Sequence, residues 1–143
     1  MNVLMGIGNI LNGDDGIGPW VAQHFRQEHW KTIDCGTAPE NFTGKVKKLS
    51  PDLLVLVDAT DMNLSPGEIR RIPPEMISSL HLSTHALPLS LLMSHLQDTI
   101  KKIILVGIQP KRFNGPLSHE VHTSGKHLIH ILKQNTISTI KSL

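Results

Sequence analysis

The segment Leu53-Leu54-Val55-Leu56-Val57 is an unbroken apolar run held between Pro51 and Asp58. It is too short for a stable helix, and with no polar alternation it has no face to offer to water. It therefore predicts a strand covered on both sides, as central strands of parallel sheets are. Parallel neighbours require long crossover connections, usually helical. The remainder of the chain must then supply alternating strands and helices.

It does so in order. Val3 to Ile7 is a second apolar run that ends in glycines, and Ile17, Val21 and Phe25 follow at helical spacing, predicting a helix from about Gly16 to Glu28 with Pro19 in its first turn. Lys31 to Asp34 reads as a short strand, Cys35 to Pro39 as a loop, and Asn41 to Leu49 as a modest helix. Ser65-Pro66-Gly67 has the residues of a type II turn, leading to a strand at Glu68 to Ile72 and a helical turn from Pro74 to Leu80. A helix starting near Pro88 is expected to turn Leu91, Leu92, His95 and Leu96 inward. Lys102 to Ile108 is a further buried strand, and Ser118 caps a last helix whose apolar stripe is Val121, Leu128, Ile131 and Leu132. This alternation predicts an α/β fold, a three-layer sandwich with a twisted, mostly parallel sheet flanked by helices and joined by right-handed crossovers. At 143 residues the chain suits one domain, residues 1–143, with one core.

Composition removes several functions. Lys plus Arg number 14 against 12 Asp plus Glu, a net charge of +2 that argues for no nucleic-acid partner. Aromatic residues are 3% with no Tyr, too few for stacking platforms. A single Cys35 excludes an internal disulfide and Cys-pair zinc motifs and fits a reducing compartment. Met1 to Gly16 lacks Lys and Arg, and Gly6 and Gly8 interrupt its apolar stretch, so it reads as neither a signal peptide nor a membrane span. No membrane and a cytoplasmic location are the expectation.

In open α/β sheets ligands gather outside the carboxyl ends of the strands. The residues expected there are Gly8-Asn9, Gly13-Asp14-Asp15-Gly16-Ile17-Gly18, Asp58, Asp61, and Thr84-His85. Nucleotide binding fits poorly. The dinucleotide fingerprint would need glycine where Leu11 stands, and no P-loop lysine follows. Like charges about 4 Å apart repel by about 4 kcal/mol at an effective dielectric near 20, so Asp14 and Asp15 disfavour a phosphate. A cation suits them better. One acid of the Asp14-Asp15 pair, with Asp58 and His85, makes an oxygen, oxygen, nitrogen set for a borderline divalent ion such as zinc or nickel. Each also has a plain reading: helix N-cap, strand-end carboxylate and loop histidine respectively.

Other candidates are weaker. His119-Glu120-Val121-His122 is one residue short of the zincin spacing, and His24, His29, His127 and His130 read as helix-surface residues. Cys35 as a nucleophile lacks any local signature and reads better as a small buried residue. Trp20 and Trp30 are candidate docking residues, with core packing the better explanation for Trp20.

Taken together, Gly8-Asn9-Ile10-Leu11-Asn12-Gly13-Asp14-Asp15-Gly16-Ile17-Gly18-Pro19, Ala38-Pro39-Glu40-Asn41, Val57-Asp58-Ala59-Thr60-Asp61-Met62, Pro66-Gly67-Glu68-Ile69, Thr84-His85 and Gly107-Ile108-Gln109-Pro110 resemble the nickel-iron hydrogenase maturation endopeptidases. The likeness is greatest to the branch that processes the large subunit of the formate-hydrogenlyase hydrogenase. It spans Val3 to Pro110 in the same order and is weaker beyond. It implies a metal-dependent (aspartyl-type) endopeptidase that removes a C-terminal extension from the hydrogenase large-subunit precursor after nickel insertion. By position it assigns Asp15, Asp58 and His85 as metal-contacting and catalytic, leaving Asp14 structural. It implies nickel supplied by the precursor, allows zinc or another divalent ion in the isolated protein, and suggests a monomer. Cys35 stands where an Asp-Gly-Gly version of that loop would have glycine, and Asp34 beside it is expected to help bind substrate.

Overall fold

The computed structural model describes residues 1–82 and 86–143. Among these residues six strands and four α-helices follow in the order β1 (Asn2–Ile7), α1 (Ile17–His24), β2 (Trp30–Gly36), α2 (Thr43–Leu49), β3 (Leu53–Asp61), β4 (Ile69–Ile72), β5 (His81–Leu82), α3 (Ala86–Gln97), β6 (Ile103–Ile108) and α4 (His119–Lys133). The sheet order is β2-β1-β3-β6-β4, with β5 paired to the end of β3. β1, β2, β3 and β6 are mutually parallel, and only the edge strand β4 and the short β5 run antiparallel. This is the mostly parallel α/β sandwich expected, with the apolar run 53–57 at its centre.

From β1 the chain passes through α1 to β2 on one side, then returns through α2 to β3 on the other. Crossovers have one hand, so this reversal of direction places the two helices on opposite faces. The packing agrees. Leu4, Val55, Val57 and Val106 face α1 and α4, while Val3, Met5, Leu54, Leu56 and Leu105 face α2 and α3. Alternate residues of one strand thus feed two cores.

Several elements depart from expectation. α1 ends at His24: Phe25 is extended (φ −88°, ψ 122°) and fully buried, and the Arg26 guanidinium donates to the carbonyls of Ala22 and Phe25. Burying Phe25 and satisfying the last carbonyls outweigh another helical turn. β2 runs on through Cys35 and Gly36, its register with β1 shifting by one residue there so that Ile7 pairs with Gly36. In α3 the buried stripe is Leu89, Leu92, Met93 and Leu96; Leu91 and His95 are exposed, because a stripe at that spacing turns both of them to the solvent side. Ser65–Glu68 is the type II turn expected, with Glu68 N–H donating to Ser65 O (3.1 Å) and Gly67 at φ 90°.

The close approach of α1 to the sheet matters most for the site. Gly6 and Gly18 face each other across this contact: a Cβ on Gly18 would fall onto Ile7 N, Ile7 O and Val57 O, and one on Gly6 onto Gly18 O. Only glycine lets the helix start sit directly on β1 and β3. That brings the Gly13–Gly16 3-10 turn, with Asp14 and Asp15, over the carboxyl ends of both strands.

Candidate active site

The order 2-1-3 makes the space between the carboxyl ends of β1 and β3 the switch point of the sheet, where connections leave in opposite directions and a crevice opens. Asp15 follows β1 into this crevice and Asp58 lies on β3. Asp58 was expected at the end of its strand. Instead β3 continues to Asp61, because β6 pairs with it as far as Ala59 and β5 pairs with Thr60 and Asp61. The carboxylate therefore sits inside the sheet.

The two members of the Asp14-Asp15 pair separate cleanly. Asp14 is fully buried and saturated: Oδ2 accepts from Lys111 N (2.8 Å), Arg112 N (3.1 Å) and Ser118 Oγ (2.8 Å), and Oδ1 from Ser118 N (2.7 Å). It ties the turn after β1 to the loop and cap that precede α4, nearly a hundred residues on, and has no oxygen left for a ligand. Asp15 is 3% exposed; Oδ2 accepts from Asn9 N (2.9 Å), and Oδ1 is buried with no hydrogen-bond partner. Asp58 is 0% exposed, and neither of its carboxylate oxygens has one.

Buried polar atoms are nearly always hydrogen-bonded, so three such oxygens at one strand edge require an explanation. Burial first, and the charge of Asp15 second, hold the Asp58 carboxyl well above the usual carboxylate range, while the Ala59 amide acts in the opposite sense. A buried acid pair with unpartnered oxygens in a dry site forms an oxygen-donor site fit for a cation. Both acids are enclosed within the protein rather than standing outside the strand ends. His85 lies outside the described residues, as do Ser83 and Thr84. Among the described residues no group of three or more His, Cys, Asp or Glu is gathered to hold an ion.

An opening lies beside the pair. A cleft of about 270 Å³ is lined by Gly8, Asn9, Ile10, Asp34, Gly36 and Thr37. It shares Asn9 with Asp15, and Gly8 allows the chain to turn there: its φ is 144°, and a Cβ would collide with Asp15 O. Asp34 lines the cleft, its carboxylate accepting from Gln23 Nε2 (2.9 Å) and Gly36 N (3.0 Å). A separate depression of about 820 Å³ between β4 and α4 is lined by Gly67, Ile69, His127 and Ile140 among others, and neither acid lines it.

The remaining candidates resolve as packing. Burial, then Asp34 and Glu40, push the Cys35 thiol up to about 12, and its Sγ meets Ile33 O at 3.8 Å, so it is no nucleophile. His24 stacks on Trp20 (4.3 Å between centroids), His122 meets the same ring edge-on (5.0 Å), and Glu120 pairs with Lys111 (2.7 Å). Trp20 packs against Gly125 and Trp30 against Phe25. Gln109 was not singled out from the sequence: it is buried, and its Oε1 accepts from Met62 N (2.6 Å) and Leu64 N (3.2 Å) while Nε2 donates to Asp61 (3.2 Å), holding the chain that leaves β3. A polar residue directly after an apolar strand, inside the motif Gly107-Ile108-Gln109-Pro110, is the signal that marks it.

A buried acid pair at the switch point of a mainly parallel sheet defines the class as an α/β protein with carboxylates enclosed at its carboxyl edge. Comparison with known proteins makes the class particular. The family model for HycI, hydrogenase maturation protease, matches residues 21–135, a span that includes Asp58 and begins after Asp15. Over 113 residues the chain is 43% identical to the hydrogenase 3 maturation protease of Escherichia coli K12, covering 76% of this chain and 72% of that protein. A putative hydrogenase maturation protease of Methanocaldococcus jannaschii is 36% identical, covering 91% of this chain and 85% of the relative. The solution structure of the endopeptidase HycI from Escherichia coli superimposes with a TM-score of 0.91 at 35% identity, over 100% of this chain and 96% of that one. The crystal structure of a nickel-iron hydrogenase maturation protease HycI from Thermococcus kodakarensis gives 0.82 at 29% identity, over 94% and 91%. The chain belongs to the hydrogenase maturation protease family, and it is a protease.

Proposed function

We propose that this protease removes the C-terminal extension of a nickel-iron hydrogenase large-subunit precursor once nickel is in place, and that Asp15, Asp58 and His85 engage the nickel carried by that substrate. The observation that carries the reading is the set of three buried, unpartnered oxygens, Asp15 Oδ1 and both of Asp58. A divalent ion delivered by the precursor would satisfy them and relieve the repulsion between the two acids. His85, assigned from the sequence alone, supplies the nitrogen donor. In the isolated protein the same acids take zinc or another divalent ion.

A bound metal would supply polarisation of the scissile carbonyl or of an attacking water. The chain's own contributions are distinct. Asn9 N–H orients the Asp15 carboxylate, the enclosed site excludes bulk water, and the raised proton affinity of Asp58 lets it hold a proton until a cation displaces it. Needing a metal that only mature precursor carries gives specificity, since the site is complete only on loaded substrate. Asp34, at the neighbouring cleft, is placed to accept a donor from the tail being cut.

The test is mass spectrometry of nickel-loaded and nickel-free precursor incubated with this protein alone. Release of the C-terminal peptide from the loaded form only is expected. Equal trimming of both overturns the nickel requirement, and no trimming of either overturns the processing reading in favour of a non-catalytic chaperone.

A further inference from the structure

Large apolar side chains stand in the open at few places among the described residues, and three of them lie on the two loops that meet at Asp14. Leu11 is 82% exposed, Ile10 62% and Phe113 53%. Ile10 and Leu11 lie on the turn between β1 and Asp15, and Phe113 on the loop between β6 and α4. These two loops abut: Asp14 N–H donates to Arg112 O (2.9 Å), Asp14 Oδ2 accepts from the Arg112 amide, and a Cβ on Gly13 would strike the Asn114 backbone.

The backbone of the Ile10–Leu11 turn is also held. Asn9 Oδ1 accepts from Leu11 N (2.9 Å), Asn9 O from Asn12 N (3.1 Å), and Gly16 lies directly beneath the Ile10 Cα, where a Cβ would approach to 2.9 Å. Ile10 and Leu11 are therefore displayed from a fixed scaffold, which lowers the ordering cost of covering them. Ile10 stands between two clefts, the one containing Asn9 and Asp34 and a second of about 170 Å³ lined by Gly13, Gly16, Trp20, Gln23 and Leu117. Clustered apolar exposure beside polar clefts marks a docking surface.

We infer that Ile10, Leu11 and Phe113 form a docking surface for an apolar stretch of the substrate polypeptide flanking the bond that is cut. The occupant follows from continuity. The edge carrying Asp15 and Asp58 must receive a polypeptide in any endopeptidase, and this patch is built on the same hydrogen-bonded turn. The inference rests on the proposed processing of a hydrogenase precursor. It adds that affinity comes largely from apolar contact outside the acid pair, with Asn9 linking the docking turn to Asp15.

The experiment uses the full chain and the nickel-loaded large-subunit precursor from the same organism. Binding is read by biolayer interferometry and processing by initial rates, for wild type and for Ile10→Ser/Leu11→Ser/Phe113→Ser. The triple variant is expected to raise the dissociation constant and the half-saturating precursor concentration at least tenfold, with maximal rate within about twofold of wild type. Leu11→Ser alone gives a readout if the triple variant fails to fold, with a rise of about threefold, while Leu11→Met stays near wild type. Unchanged binding, or a loss confined to maximal rate, overturns the inference. So does a wild-type dimer in sedimentation velocity that the triple variant converts to monomer without weaker precursor binding. If wild type binds precursor but never cuts it, the processing reading fails, and the binding comparison still decides the docking surface.

Discussion

Adjacent acids in one turn reach opposite states because of what surrounds each. Asp14 satisfies four donors, so Asp14→Ala strands the amides of Lys111, Arg112 and Ser118 and the Ser118 hydroxyl in a buried site. A loss of about 3–5 kcal/mol in urea unfolding is expected, the cost typical of breaking a buried charged network. Asp58 behaves conversely. A carboxyl whose folded pKa lies above its unfolded value contributes stability that is complete below the unfolded value, near 4, and lost as pH rises through the folded value. Without a cation, stability therefore falls as pH rises above about 4. Asp58→Asn should remove that fall, add about 1–2 kcal/mol at neutral pH by thermal melting, and abolish precursor processing. A destabilised variant with processing intact would contradict both halves. Cys35, neutral up to about 12 and enclosed, should resist iodoacetamide in the folded protein at pH 8 and react in denaturant, as followed by mass spectrometry. Which acid is free could be read from neither residue type nor spacing, because Asp14's partners lie at 111–118.

The helix start that carries these acids depends on contacts no side chain can share. Gly18→Ala places a Cβ against Ile7 and Val57 backbone atoms, which cannot withdraw, and should cost about 3 kcal/mol or more. Gly44→Ala, on exposed α2 with nothing within 4 Å, should instead gain about 0.5–1 kcal/mol. Chemical denaturation of the two variants against wild type measures the contrast. Element type was legible wherever the apolar pattern was strong: the run 53–57, the strand 103–108, and α4 with Ser118 accepting from Val121 N (3.3 Å). Boundaries failed where a tertiary partner decided them. β3 extends past Asp58 because two neighbouring strands pair with it, and α1 stops because Phe25 is drawn into the core.

Each of β1, β3 and β6 contributes to the packing on both faces, so neither face should unfold separately. Trp20 and Trp30 both pack on the α1–α4 side, which makes their fluorescence a reporter of one face, whereas far-UV circular dichroism reports the whole. The two urea transitions should superimpose, and Leu4→Ala and Leu56→Ala, on opposite faces, should each lower the single midpoint by about 2–5 kcal/mol of stability. Among the described residues no helix is long and apolar enough to cross a membrane. The sequence by itself determined the layering, the parallel centre, the Gly-rich turn and the short list of acids, because these follow from hydrophobic period and turn chemistry, which are local. Only the tertiary structure decided which donors saturate Asp14 while one Asp15 oxygen stays unpartnered, that Asp58 lies buried within its strand, and that the loops carrying Ile10, Leu11 and Phe113 abut. Those depend on burial and on partners distant in the chain, which no local pattern encodes.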